Sequence, residues 1–168
     1  MKFITLLFCM IYSIAICHAS EFEIAMESCL YQKSTQQSVK YKNIDMAQIY
    51  VSDNYNDLGG ASYIKYLGGD LGYAEKKSTG MIFYKKNRYS LSKAHSLNNY
   101  NIKFNQPRRF EFLLSEWGSV SINGRDYICV NFPFEGVGES GDFQKIRNVF
   151  LFDIKGRDLF YSVKNTAE

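Results

Sequence analysis

Residues that carry most enzyme chemistry are scarce in this 168-residue sequence, which has two histidines, four cysteines and one tryptophan. Of the two histidines, only His95 lies beyond the first 20 residues. Its surroundings, SKAHSLNN, contain no nucleophile elbow. One histidine and two distant cysteines are too few ligands for zinc. Asp53 and Asp57 resemble a calcium loop only superficially, because Tyr55 stands where Asp or Asn is needed. We therefore expect no catalytic residues, no metal and no cofactor.

The sequence also lacks an excess of one charge, with 20 basic and 17 acidic residues. Nucleic-acid binding requires a basic patch, and the basic residues here are scattered among acids. The densest groups are Lys85, Lys86 and Arg88, and the pair Arg108–Arg109. We interpret both groups as ordinary solvent-exposed charges at the surface, and we expect no nucleic-acid partner.

A hydrophobic run occurs at the start of the chain, where Lys2 precedes an apolar stretch from Phe3 to Cys17. This run of about 15 residues is shorter than the roughly 20 that a membrane-spanning helix needs. Small residues follow, which is typical of a cleavable secretory signal. The sequence predicts a signal peptide over residues 1–19, cut at Ala19–Ser20, and one periplasmic or secreted domain over 20–168 without stable membrane insertion. A retained anchor is the alternative; Ile16 before Cys17 fits a lipoprotein site badly.

Removal of that segment would leave two cysteines, Cys29 and Cys129. An even number of cysteines in an exported domain favours a disulfide. The bridge would close a long loop and would contribute about 4–5 kcal/mol if it were unstrained. The alternative is a pair of buried free thiols that do not meet.

Proline is rare, with two residues, whereas aromatic side chains make up 16% of the chain. Tyrosine and phenylalanine favour half-buried pleated surfaces. We expect a mainly β, β-rich α+β fold. It would be a single antiparallel sheet domain, built as a sandwich or half-open barrel with one or two short helices.

The clearest local signals are two hairpins in the last third of the chain. Asn123–Gly124 favours a type I′ turn, so Ser119–Phe132 is predicted to form a hairpin. Alternation places Ile128, Val130 and Phe132 on one face of its second strand and Tyr127, Cys129 and Asn131 on the other. Val149–Ile154 and Leu159–Val163 predict a second hairpin around the turn 155–158.

Other segments are less distinctive. Alternation over Glu21–Gln32 predicts a strand. Ser34–Lys42 is interpreted as a polar connection, whereas Asn43–Val51 and Ala61–Leu67 fit either a short helix or a strand. The remaining short strands are predicted at Met81–Tyr84, Tyr100–Phe104 and Phe110–Leu114.

A glycine-rich loop, FPFEGVGESGDF, joins the two hairpins over residues 132–143. Its letters match the dinucleotide fingerprint, but that motif needs a preceding parallel strand and a following helix. The loop is interpreted as a flexible connection or as an acidic loop that contacts a partner. Ser140 or Asp142 would cap a short helix running to about Asn148. The candidate contact residues are Glu135, Glu139, Ser140, Asp142, Phe134 and Phe143.

Trp117 is either a core residue or an interface anchor. The export signal, the disulfide and the acidic loop together favour an exported inhibitor or immunity-type protein. Such a protein would bind another protein, a toxin or a cell-wall-degrading enzyme, and occlude its active site. The alternatives are a secreted hydrolase that uses carboxylates on cell-wall material and a passive envelope module that binds a small ligand.

Overall fold

The computed structural model describes residues 21–76, 78–97, 108–133 and 146–165. These ranges contain one helix, α1 (residues 21–31), and eleven strands. The strands are, in chain order, β1 (Val39–Asn43), β2 (Tyr50–Ser52), β3 (Gly60–Tyr66), β4 (Gly69–Lys76), β5 (Thr79–Tyr84), β6 (Asn87–Ser90), β7 (His95–Ser96), β8 (Glu116–Ile122), β9 (Arg125–Pro133), β10 (Ile146–Asp153) and β11 (Leu159–Asn165).

The strands form two sheets. Sheet A has the order β1-β8-β9-β10-β11-β7, and sheet B has the order β2-β3-β4-β5-β6. Neighbouring strands are antiparallel except for β7, which runs parallel to β11. The expected β-rich fold is confirmed, as a sandwich of two open sheets with one short helix.

Aromatic side chains from both sheets fill the space between them. Phe132 stacks on Phe110, with ring centroids 4.8 Å apart, and lies 5.7 Å from the ring of Phe150. From the opposite sheet, Tyr89 of β6 packs on Phe152 of β10 at 4.3 Å. All five side chains are almost fully buried. The high aromatic content of the sequence therefore corresponds mainly to a core that packs two sheets face to face.

Helix α1 covers the other face of sheet A, and the strand predicted for Glu21–Gln32 is wrong. The prediction followed the alternation of Phe22, Ile24 and Met26. A helical face with spacings of three and four also includes Ala25 and Cys29, and both are completely buried. This face packs against β8, β9 and β10. The 3.6-residue period prevailed because it buries small side chains against the sheet.

Both predicted hairpins are confirmed. Strands β8 and β9 meet at Asn123–Gly124, where φ is 49° and 78°, as a type I′ turn requires. Strands β10 and β11 form the second hairpin. Ile128, Val130 and Phe132 face the core between the sheets, whereas Tyr127 and Cys129 face α1, as the alternation predicts.

The structure corrects or resolves the predictions for several other segments. Phe110–Leu114 is not a strand, because residues 112–114 form a 3-10 turn. The polar segment Ser34–Lys42 contributes to β1, and residues 44–49 form an irregular connection between β1 and β2. The ambiguous segment Ala61–Leu67 belongs to strand β3, and the strand Met81–Tyr84 is confirmed within β5. A helix reaching Asn148 is excluded because β10 begins at Ile146.

Three predicted features lie outside the described residues: the signal peptide over residues 1–19, the strand Tyr100–Phe104 and the glycine-rich loop from Phe134 onwards. Among the helices that the structure describes, none has the length and apolar character to span a membrane.

Candidate functional site

The acidic loop proposed as a partner contact joins the ends of β9 and β10, which are neighbouring central strands of sheet A. Its candidate residues all fall in the range 134–145, for which the structure gives no description. They are Glu135, Glu139, Ser140, Asp142, Phe134 and Phe143. Their contribution to binding therefore stays a prediction.

The structure joins Cys29 of α1 to Cys129 of β9 through a disulfide, with the two Cα atoms 6.1 Å apart. Both cysteines are buried, at 0% and 1% exposure. Beside the bond, Asn131 Nδ2 donates a hydrogen bond of 3.3 Å to the carbonyl oxygen of Cys29. The bridge thus attaches the helix to the centre of sheet A, away from any open surface.

Trp117 lies in the core, where 2% of its surface is exposed. Its indole nitrogen donates a hydrogen bond of 2.8 Å to Ser115 Oγ, and that hydroxyl donates one of 2.6 Å to the carbonyl oxygen of Phe112. The Trp117 ring also packs against Phe112, with centroids 5.5 Å apart. Its surface is thus not available to a partner in this conformation, and its contacts instead hold the segment 110–115 in place.

That segment forms the wall of an open groove at the corner of the sandwich, with a volume of about 250 Å³. Val51 pairs with Ser62, and Ser62 pairs with Tyr73, so these three residues form one row across β2, β3 and β4. Tyr73 is buried under the ring of Phe110 at 4.3 Å, whereas Val51 is 75% exposed. The inner face of sheet B, which is the face directed towards sheet A, is therefore exposed to solvent near its β2 edge.

A second row in the groove carries carboxylates. Gly60 pairs with Glu75, and Asp53 follows Ser52, the last paired residue of β2, which places it beside Gly60. A methyl group added at Gly60 would meet no atom within 4 Å, so the space above it is open. Glu111 on the wall supplies a third carboxylate, and the lining includes no basic side chain.

Apolar side chains project beside the groove. Leu113 and Leu114 directly follow its wall and are 70% and 66% exposed. Val51 in the groove lining and these two leucines, which lie one and two residues after the lining residue Phe112, are thus exposed aliphatic side chains at this corner of the sandwich. Because isolated apolar side chains are common on surfaces but clusters mark interaction sites, this corner is the candidate functional site.

The loop that supplies Asp53 is held in place from the outer face of sheet B. The Tyr55 ring stacks on Phe83 at 4.7 Å, and its hydroxyl donates a hydrogen bond of 2.6 Å to Asp70. Lys65 donates a second one to the same carboxylate at 2.5 Å. Partial burial acts to raise the pKa of Asp70, but these two hydrogen bonds outweigh it and hold that pKa below its ordinary value. Burial and the bond to Asp70 raise the pKa of Tyr55 to about 12.

Sequence reasoning did not find this groove. Asp53, Glu75 and Glu111 come from three separate segments, and only the strand register brings the first two to either side of Gly60. The period-two pattern of Tyr73 and Glu75 was an available signal, since one side chain is buried and the next on that face is exposed. Among the described residues, no cluster of histidine, cysteine and acidic side chains is suited to hold a metal ion.

Comparisons with models of protein families, with curated protein sequences and with solved structures found no match to this chain.

Proposed function

We propose that this protein is exported and acts as an inhibitor or immunity-type protein, which binds a toxin or a cell-wall-degrading enzyme and occludes its active site. The observation that carries the proposal is the acidic groove, which is lined by the exposed Val51 and is directly followed in the chain by the exposed Leu113 and Leu114. Apolar side chains that rim an open depression supply the buried core of a protein interface, and the carboxylates supply its polar part.

The packing of the sandwich favours a macromolecular partner over a small ligand. Small-molecule sites are usually apolar clefts or cavities of roughly 300–1,000 Å³ that bury most of the ligand. Here the rings of Phe110, Phe132, Phe150 and Tyr161 contact one another between the sheets. The groove is open and small, which suits a protruding segment of another protein.

Export is part of the proposal and rests on the sequence of residues 1–19 and on the disulfide. A bond between Cys29 and Cys129 forms in an oxidising compartment. Intact mass measurement of protein recovered from the periplasm or medium should give a chain that begins at Ser20. A chain that keeps Met1 would contradict the export step.

Photo-crosslinking tests the proposed interface. We expect benzoylphenylalanine at position 113 to give a discrete covalent adduct in the exporting cell, whereas the same group at the exposed Glu23 of α1 gives none. The purified protein should also inhibit the captured enzyme, or a muramidase or amidase acting on cell walls, in a stoichiometric manner. An adduct from both positions, or an adduct without inhibition, would contradict the proposal.

The loop 134–143 is tested separately. The triple variant Glu135→Gln, Glu139→Gln and Asp142→Asn removes its charge without shortening it. If the loop enters the partner's cleft, this variant loses inhibition while the adduct from position 113 persists. Unchanged inhibition would remove the loop from the interface.

A secreted hydrolase is the second candidate, and the carboxylates on either side of Gly60 favour it. Asp53 and Glu75 lie two strands apart, so their Cα atoms are separated by about 10 Å. Inverting glycoside hydrolases use two carboxyl groups roughly 6.5–9.5 Å apart, which side chains at this spacing can reach. Release of soluble sugar from cell walls by the purified protein, abolished by Glu75→Gln, would establish this function in place of inhibition.

A further inference from the structure

The edge of sheet B beside the groove is unpaired among the described strands. Among the strands that the structure describes, β2 bonds only to β3 and ends the order of sheet B. In an antiparallel pair, alternate residues direct their N–H and C=O groups away from the partner strand. At least one of Tyr50, Val51 and Ser52 therefore points its backbone groups outward. Such an edge is a template for an added strand.

The side chains beside this edge limit what can pair with it. Asp53, Glu75 and Glu111 all line the groove, and no basic residue does. A second copy paired through β2 would bring its own three groove carboxylates to the same edge, which like-charge repulsion disfavours. An extended segment that carries lysine or arginine would instead gain both backbone pairing and opposite charge.

We propose that β2 and the groove accept an extended, basic segment of the partner protein as an added strand. Every second side chain of that strand faces the groove and places lysine or arginine on Asp53, Glu75 and Glu111. The intervening apolar side chains lie beside the ring of Tyr50, on the outer face of sheet B. This rests on the proposed function, because it specifies the chemistry of the partner that the same surface binds.

Synthetic peptides test the chemistry without the natural partner. The probe is a capped, labelled peptide of about ten residues that alternates valine and lysine, long enough for one strand. Two matched peptides replace lysine by glutamate, or valine by proline, which keeps the charge but removes backbone donors. The measurement is made at about 0.05 M salt, where charges are weakly screened. We expect the valine–lysine peptide to bind and the two matched peptides not to bind. Binding should perturb the amide resonances of Tyr50, Val51 and Ser52.

Charge-matched variants locate the binding. The triple variant Asp53→Asn, Glu75→Gln and Glu111→Gln should weaken the affinity for the valine–lysine peptide at least tenfold. The control triple variant Glu23→Gln, Glu27→Gln and Asp158→Asn makes the same change in net charge at exposed sites elsewhere. It should bind the peptide as the unmodified chain does. Thermal unfolding of both variants checks that they are folded.

Three results would overturn the inference. These are equal binding by the two triple variants, equal binding of the proline peptide, and self-association through β2 detected by sedimentation. The first two would show a diffuse charge effect, and the third would show a second copy as the occupant. If the peptide binds as expected but position 113 gives no adduct, the inference survives and the proposed function fails. If position 113 gives the adduct with inhibition but the groove variant changes nothing, only the inference fails.

Discussion

The Tyr55 hydroxyl lies 2.6 Å from the carboxylate of Asp70, and this contact closes the loop 53–59 over the outer face of sheet B. The ring of Tyr55 packs against Tyr63 at 4.9 Å and Phe83 at 4.7 Å, the two residues that flank Gly72 in the sheet. Asp53, at the start of the same loop, faces the groove on the other side of the sheet. The position of a groove carboxylate thus depends on a contact made through the opposite face.

Replacement of Asp70 by asparagine should lower the free energy of unfolding by about 1–2 kcal/mol at neutral pH, because two donors lose an ionised acceptor. The folded-state pKa of Asp70 is depressed, so its contribution is fully present above the unfolded pKa of about 4 and disappears as pH falls through the folded value. Urea unfolding between about pH 2 and 7 should therefore show the two proteins converging in acid. A stability difference that stays constant across that pH range would contradict the role given to the Asp70 carboxylate. The variant Tyr55→Phe, which keeps the ring, should reproduce part of the loss of stability.

Gly72→Ala should destabilise the protein by about 1–3 kcal/mol through overpacking. A Cβ atom at this position would lie 2.3 Å from the carbonyl oxygen of Ser62 and 2.8 Å from the ring of Phe83. Gly60→Ala is the matched control on the neighbouring strand, since its Cβ would meet nothing within 4 Å. Thermal unfolding should separate the two variants, and equal melting temperatures would show that the sheet relaxes around Gly72.

Ser115→Ala should cost about 1–3 kcal/mol, because the buried indole N–H of Trp117 would lose its acceptor. The Phe112 carbonyl would lose a donor as well, so the wall of the groove would loosen. We expect lower stability together with weaker binding of the valine–lysine peptide. Ser119→Ala on β8 serves as the control, and tryptophan fluorescence reports on the environment of the ring. An unchanged peptide affinity would show that the conformation of the segment 110–115 does not affect binding.

The double variant Cys29→Ala and Cys129→Ala should lose about 2–5 kcal/mol of stability, because the bridge constrains an unfolded loop spanning 100 residues. The native protein should resist alkylation until it is both unfolded and reduced. Labelling of two thiols in unfolded but unreduced protein would show that the bond is absent.

The fold was predictable where local chemistry determines it. The turn at Asn123–Gly124 requires positive φ angles that few residues tolerate, so the hairpin around it could be recognised from the sequence. The pairing of Cys29 with Cys129 followed from the count of cysteines left after the first 19 residues. Neither conclusion needed knowledge of distant contacts.

Where a segment shows both a helical and a strand-like hydrophobic period, tertiary packing determines which secondary structure forms. Residues 21–31 show both alternation and helical spacing, and the helix formed because Ala25 and Cys29 are small enough to lie against sheet A. The groove was not predictable because Asp53, Glu75 and Glu111 are brought together by strand register and by a 3-10 turn. Register over such distances depends on the whole sheet rather than on local sequence.

The position of the disulfide also orders the events of maturation. On the proposed export route, Cys29 crosses the membrane 100 residues ahead of Cys129, so its thiol can pair only once Cys129 has followed. Removal of residues 1–19 would leave two cysteines and a single intramolecular outcome of oxidation, whereas four cysteines would allow three pairings. On the proposed export route, maturation of this protein therefore needs an oxidant but no shuffling of mismatched bonds.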